Sequence, residues 1–428
     1  MRGARYPKYK PTGIAWLPEL PEGWEVHRVR NHYSIVSGSG FPPEIQGQSA
    51  GDYPVCKASD ISVAGKEMRN AANWISADVA KSSGFHIIPS GSLMFPKIGE
   101  AMRKNSRTVT KVDCCADNNC QGLVPRCIDI DYTYYLFTQI DMNWFDNAGP
   151  VPCLSNKKLL GFPIPYPPLA EQRAIVAFLD EKCGKIDRWV AAKEREVALL
   201  KELKQAMIAE AVTGATKVAR TDTARKMKPS GIPWLPEVPE GWEVKKVRQH
   251  FRLRSEKVSE QDYPPLSVAK VGVVPQLADV AISMAQGETR KLVRAGDYVV
   301  NSRSDRKGSC GIAPQDGSVT TISIVLEPRQ IDRQFVHYLF RSTPWVEEFY
   351  RNGRGIVADL WTTRYQEMRN MVFPLPPLAE QRAIVAYIEA RAAKIDAAVA
   401  GLEREVAAMK EYKQRLIADV VTGQRKVA

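Results

Sequence analysis

PPLAEQRAIVAFLDEKCGKIDRWVAAKEREVALLKELKQAMIAEAVTG, residues 167–214, returns as PPLAEQRAIVAYIEARAAKIDAAVAGLEREVAAMKEYKQRLIADVVTG, residues 376–423. Extended to Pro165–Ala219 and Pro374–Ala428, the copies align without a gap and agree at 34 of 55 positions. After Pro167-Pro168 and Pro376-Pro377 no proline or turn cluster interrupts either copy until Thr213-Gly214 and Thr422-Gly423. Apolar residues fall at Ile175, Leu179, Ile186, Val190, Val197, Leu200, Met207 and Ala211. Their counterparts are Ile384, Ile388, Ile395, Val399, Val406, Met409, Leu416 and Val420. Steps of four, seven and three residues make a heptad-like seam, and such a seam needs a helical partner. About 40 residues at ~1.5 Å each predict a rod of roughly 60 Å. Gly214 and Gly423 are suited to end it. Interleaved charges of both signs on the first copy fit a solvated face.

Two equal rods in one chain are each other's obvious partner. Antiparallel pairing would give pseudo-two-fold symmetry, with one variable domain at each end. It would also return the last residues to the first ones.

Working outward, a second repeat precedes each rod. Lys10–Arg30 (KPTGIAWLPELPEGWEVHRVR) recurs as Lys228–Arg248 (KPSGIPWLPEVPEGWEVKKVR), identical at 16 of 21 positions. Its density of Pro and Gly opposes helix. The expectation is a turn-rich lead-in, then a short strand or helix start at Trp24–Val29 and Trp242–Val247, with the tryptophans packed on a core. The stretches 31–164 and 249–373 between these repeats do not resemble each other. A duplicated frame around two unlike inserts suggests one task performed on two targets.

The inserts read as α/β. Short apolar runs bounded by Gly, Pro, Asp and Ser place strands at Tyr53–Lys57, Gly84–Ile88, Gly91–Pro96 and Gly122–Pro125. In the second insert they fall at Pro265–Val268, Tyr298–Asn301 and Thr320–Leu326. Helices are expected at Tyr132–Asn143 and Arg333–Arg341.

Composition is that of an ordinary globular protein, 44% hydrophobic and 25% charged over 428 residues. No apolar run approaches the ~20 residues of a membrane span. The first residues, MRGARYPKYKPTG, lack the apolar stretch of a secretory signal, so the chain reads as cytoplasmic with no membrane role. Seven of eight cysteines lie in the first half, which excludes a disulfide frame common to both repeats. Cys114, Cys115, Cys120 and Cys127 cluster without a CxxC pair or a nearby His, as reduced, partly buried thiols do and zinc ligands do not. Net charge is +12, half of it in 220–373, which favours a polyanionic partner. No phosphate loop, HExxH, GxSxG, zinc-deaminase or dinucleotide fingerprint occurs, nor the Asn/Asp-Pro-Pro-aromatic tetrapeptide of amino-methyltransferases. No catalytic residue and no metal ligand is assigned.

Two stretches have the chemistry of DNA contact. Phe95-Pro96-Lys97-Ile98-Gly99-Glu100 leads into Arg103-Lys104-Asn105-Ser106-Arg107, and Asn301-Ser302-Arg303-Ser304-Asp305-Arg306-Lys307-Gly308-Ser309 follows the strand-like Tyr298-Val299-Val300. Arg grips guanine and Asn grips adenine bidentately, while Lys, Ser and backbone amides hold phosphates. The candidate contacts are Lys97, Arg103, Lys104, Asn105, Arg107 and Asn119 in the first insert. In the second they are Lys270, Asn301, Arg303, Arg306, Lys307, Ser309 and Arg354. By themselves the residues leave two rivals open: a stand-alone methyltransferase or nuclease, and a coiled-coil scaffold joining two protein-binding domains.

The whole pattern resembles the specificity subunit of a type I restriction–modification system. The resemblance rests on the two PxGIxWLPExPEGWE heads, the two PPLAEQRAIVA helix openings and the TG closes. It extends to LMFPKIGEAMRKNSR and DNNCQGL in the first insert, and to LSVAKVGVVPQ and VVNSRSDRKGSCGI in the second. It implies an α/β (α+β) chain with two globular target-recognition domains, 1–164 and 220–373, separated by long antiparallel helices, 165–219 and 374–428. Each domain would read one half of an asymmetric bipartite site in double-stranded DNA, and the helices would act as ruler. Half-site centres near one helical turn apart, about 10 bp, would follow. The resemblance also implies two methyltransferase subunits and two motor–nuclease subunits as partners. S-adenosylmethionine, ATP and Mg²⁺ would then belong to those partners, with no cofactor in this chain.

Overall fold

The computed structural model of the chain describes residues 4–216, 218, 226–276, 290–355 and 361–427. Most of the expected linker, 220–227, lies outside the described residues. The chain is mixed α/β and forms two compact units, one of Met1–Lys193 with Glu405–Ala428, the other of Glu194–Arg404.

The repeated tails form helices Leu169–Thr213 and Leu378–Val421. Each starts on a proline carbonyl: Glu171 and Gln172 donate to Pro168, and Glu380 and Gln381 donate to Pro377, at 2.8–3.0 Å. Each unit holds part of both helices. In the first unit Ile175, Leu179, Ile186 and Val190 share a core with Val406, Leu416 and Val420. The segments run antiparallel, since Lys413 pairs with Asp187 at 2.6 Å while Arg425 covers the Phe178 ring. In the second unit Met207 shares a core with Ile384, Ile388 and Ala392, and Lys204 and Lys201 reach Asp396 and Glu403 at 2.6 and 2.9 Å. Such exposed pairs contribute ~0–1 kcal/mol each, against about 1.5–3 kcal/mol for each fully buried apolar side chain, so the seam holds the helices and the charges help set their register. Val197 and Val399 are buried as well, whereas Leu200, Ile395 and Met409 are half-buried.

The heads differ from the turn-rich lead-in expected for them. Tyr9–Ile14 pairs with Leu17–Pro21 as an antiparallel hairpin, and Met227–Ile232 pairs with Leu235–Pro239 in the same register. The Thr12 and Ser230 hydroxyls donate to the carbonyls of Leu17 and Leu235, and Gly13 and Gly231 share a φ of +71°. Pro and Gly here build a bulged turn inside a strand pair. The strand starts after the tryptophans are Glu25–Arg28 and Glu243–Lys246, each followed by one helical turn. These strands pair with Pro163–Tyr166 and Val372–Leu375, the segments that lead into the long helices. Trp24 and Trp242 are buried, and Trp24 Nε1 donates to Glu171 at 2.9 Å.

Behind each head lies an antiparallel sheet with one helix on it. The first runs in the order Tyr33–Ser37, Cys120–Pro125, Leu93–Pro96, Thr108–Thr110, with Glu67–Met68 added in parallel. The second runs Phe251–Arg254, Ile324–Pro328, Tyr298–Val300, Cys310–Ile312. The helices are Ile130–Phe137 and Arg333–Arg341, capped by Asp129 and Asp332. Smaller sheets complete each unit.

Several expected elements shift. The Asp129 cap starts its helix at Ile130, and the chain leaves it after Phe137, so the span Tyr132–Asn143 is too long at its end; Asp141 then caps a separate 3-10 turn. Gly84–Ile88 is not a strand. It follows the end of helix Ala77–Ser82, and within it Ile88 alone makes an isolated bridge, to Cys114. Thr320–Ser323 is a turn, so that strand begins at Ile324. Gly99–Arg103, inside the first candidate contact stretch, is a short helix. Cys56, Cys114 and Cys120 are buried in a satellite core, and burial pushes the Cys115 thiol up to about 12. Among the described residues no cluster of three metal-ligating side chains occurs, and no helix is long and apolar enough to cross a membrane.

Candidate nucleic-acid interface

In the first unit the chain leaves strand Leu93–Pro96 at Lys97, which two other segments grip. Lys97 N–H donates to the Asn119 carbonyl at 2.7 Å, and its carbonyl accepts from Leu154 N–H at 2.9 Å. Ile98 bridges Cys153, and Gly99 N–H donates to Pro152 at 2.8 Å. Asn119 is held over Asp117 by its backbone N–H (3.1 Å) and its amide (3.2 Å). Lys97 and Asn119 are thus adjacent, beside a segment, 146–154, that bridges itself through Asp146 and Leu154. Hydrogen bonds from Cys153, Ala148 and Asn147 hold the Asp146 carboxyl below its ordinary value.

The second unit repeats this plan with other residues. The loop after Tyr298–Val300 closes through Asn301 N–H to the Ser309 carbonyl at 2.9 Å. Asn301 Oδ1 accepts from Arg303 N–H at 3.2 Å, and Tyr350 supports the loop from behind through the Asn301 and Arg306 carbonyls. Arg303 and Arg354 both bridge Thr362, and Ser304 N–H donates to Trp361 at 2.9 Å. In both units a polar loop from a central strand is therefore stitched to a segment just ahead of a short helix, Asn156–Gly161 or Tyr365–Met368.

The candidate residues divide accordingly. Asn301, Arg303, Arg306, Lys307 and Arg354 come together. Arg303 and Arg306 pair with Asp305 at 3.1 and 3.7 Å, Lys307 with Glu347 at 3.1 Å, and Arg354 with Glu367 at 3.7 Å. Pairs this exposed cost little to open for a phosphate or a base edge. Ser309 is buried, so its side chain is structural rather than presented. Lys270 is exposed, and its carbonyl accepts from Arg341.

The first stretch is split. Arg103 is exposed and pairs with Glu100 within its own helix at 3.0 Å. Lys104, Asn105 and Arg107 border a cleft with Thr138 and Gln414 instead of joining Lys97. Arg107 is buried, and four of its five N–H groups go to the carbonyls of Asn105 and Ile140 and to Asn105 Oδ1, so it is not presented beside Lys97. Asn105, at a φ of +54°, uses its amide on Asp141.

The second stitched segment is what the sequence reading missed. It brings exposed apolar side chains to the polar loops: Val151 in the first unit and Trp361 in the second. Isolated exposed aromatics have no periodic signature. The bridges from Ile98 and Arg303 reveal where these segments belong.

The chain is similar to several known proteins. The family described as type I restriction modification DNA specificity domain matches residues 21–187. The EcoBI specificity subunit of Escherichia coli is 25% identical over 291 residues, 63% of this chain and 60% of its own length. The MjaVIII specificity subunit of Methanocaldococcus jannaschii is 22% identical over 95% of this chain and 94% of its own. A chain from a structure concerned with complex assembly and conformational transition of the type I R-M system shares the fold. Its TM-score is 0.65 at 16% identity, covering 96% of this chain and 99% of that one. Residues 21–187 thus match a type I DNA specificity domain, and the chain over nearly its whole length is similar to a type I specificity subunit.

Proposed function

We propose that this chain is the non-catalytic reader of a type I restriction–modification complex, and that its two recognition blocks read the unlike halves of one bipartite site in double-stranded DNA. The observation that carries this reading is the pair of stitched loops, built alike and composed differently, on one duplicated frame. In this reading 1–164 and 220–373 are the target-recognition domains. Helical segments 165–219 and 374–428 fix the spacing and dock methyltransferase subunits. Phosphate contacts set register, and the loop side chains read base edges in the major groove. Two methyltransferase and two motor–nuclease subunits complete the assembly in the cytoplasm. S-adenosylmethionine, ATP and Mg²⁺ are held by those partners.

The test is to co-express the chain with its methyltransferase subunit and map adenine methylation by single-molecule sequencing. One motif with two unlike halves around a fixed gap is expected. A stable complex that adds no methylation would end the reading, and methyl transfer by the purified chain without a partner would favour an enzyme.

A further inference from the structure

Beside the short helix Gly99–Arg103 the first unit opens a cleft of about 290 Å³. Its wall includes Lys104, Ser106, Arg107, Tyr134, Thr138 and Gln414, and none of the described residues lining it carries a carboxylate. Arg107 is 7% exposed. A guanidinium has five N–H groups. Those of Arg107 make four bonds, to the Asn105 carbonyl from Nε and Nη2, to Asn105 Oδ1 from Nη2 and to the Ile140 carbonyl from Nη1. One Nη1 hydrogen is left over. Lys104 makes no ion pair and the Ser106 hydroxyl no hydrogen bond among the described residues.

The wall is built rather than incidental. Asn105 ties it to the next turn by donating to Asp141 at 2.7 Å and accepting from Met142 N–H at 2.8 Å. Among the described residues Asp141 is the carboxylate that acts on Arg107, and it is bonded to Asn105 and does not line the cleft. Burial lowers the Arg107 pKa to about 10, the direction expected of a cation short of counter-charge. A buried cation wants an anion, and charge-assisted hydrogen bonds to an oxyanion are the strong ones.

We infer that this cleft is a binding site for a phosphate-type oxyanion, held by the Lys104 ammonium, the Ser106 hydroxyl and the spare Arg107 N–H. The anion has two possible sources, a backbone phosphate of bound DNA or a free phosphate; the first rests on the proposed function, the second does not.

Inorganic phosphate is titrated into the full chain and followed by ³¹P line broadening, for the wild type, Lys104→Gln and Ser106→Ala. Both changes lie on the cleft rim and leave the packed Arg107 in place. Binding that weakens about fivefold or more in Lys104→Gln establishes the site. No binding to the wild type, or equal binding to all three, overturns it. The salt dependence of DNA affinity then separates the sources. A slope reduced by about one in Lys104→Gln assigns the cleft to a backbone phosphate, and an unchanged slope assigns it to the free anion. A reduced slope without phosphate binding would make Lys104 an ordinary surface contact and overturn the cleft. A chain that binds phosphate but no DNA would sink the proposed function and leave the site standing.

Discussion

The Gln172 side-chain carbonyl accepts the backbone N–H of Asp129 at 2.9 Å, while its amide donates to the Pro167 carbonyl at 2.9 Å. Gln381 does the same for Asp332 and Pro376, at 2.8 Å each. Both glutamines are buried. The Gln of each AEQR motif thus locks the cap of an insert helix to the first turn of a long helix, in two inserts that do not resemble each other. Gln172→Ala should leave one N–H and one carbonyl unpaired and cost about 1–3 kcal/mol in urea unfolding. Gln381→Ala should cost a similar amount. A loss below the error of the measurement would show that water replaces the amide.

Gly423, at a φ of +74°, ends the second long helix against Pro21 and Trp24, and Gly214, at +83°, ends the first against Pro239 and Trp242. A Cβ at 214 would sit 2.6 Å from Pro239 Cδ. Gly214→Ala and Gly423→Ala should each lower stability by about 1–3 kcal/mol through left-handed strain and displacement of the head. Gly401→Ala, mid-helix with open space around it, should be neutral or raise stability by up to about 1 kcal/mol.

Recognition should separate by unit. With the chain in its methyltransferase complex, Arg303→Ala should relax one half of the methylated motif, by about 1–3 kcal/mol if it grips a base edge. Lys97→Ala should affect only the other half. If Arg303 holds phosphate instead, methylation falls uniformly across sites and the salt slope drops by about one. Relaxation of both halves by either single change would contradict separate readers.

Acid should act on His337. Burial, with Arg341 one turn further on, lowers its pKa to about 4, and its Nδ1 is buried without a partner. In the unfolded chain the ring takes a proton near pH 6.5. Between pH 6.5 and 4 the unfolded state therefore binds more protons, and stability falls as pH falls. The contribution by pH 5 is on the order of 1–2 kcal/mol. His337→Gln should flatten the pH dependence of urea midpoints in this window; an unchanged slope would assign it to other groups.

The long helices were legible because Ile175 to Met207 and Ile384 to Leu416 repeat at a spacing that one conformation alone satisfies. Arg333–Arg341 was legible in the same way, through Phe335, Leu339 and Phe340 on one face. The hairpins were not, because Pro11 and Pro18 suggest broken structure, whereas at the edges of a two-stranded ribbon proline costs no ladder bond. The interface was half legible. Arg303 and Arg306 announce themselves by charge and loop chemistry, but Arg107 has the same chemistry and spends most of it inward. Nothing local distinguishes the two. The stitched segments at Cys153 and Thr362 meet the loops across about 55–60 residues of sequence, a separation that periodicity does not report.

The first unit is not closed by its own stretch of chain. Its core needs Val406, Leu416 and Val420, which follow the whole of the second unit. At synthesis rates of about 5–20 residues per second, the interval between Lys193 and Glu405 is roughly 10–40 s. Throughout it the apolar face from Ile175 to Val190 lacks its native cover, and domain-by-domain completion from the N-terminus is barred. A stop codon at Glu405 would leave every residue of the first insert in place and still strip its unit's core, while the second unit, complete at Arg404, would keep its own. Damage late in the gene would therefore be felt first at the beginning of the protein.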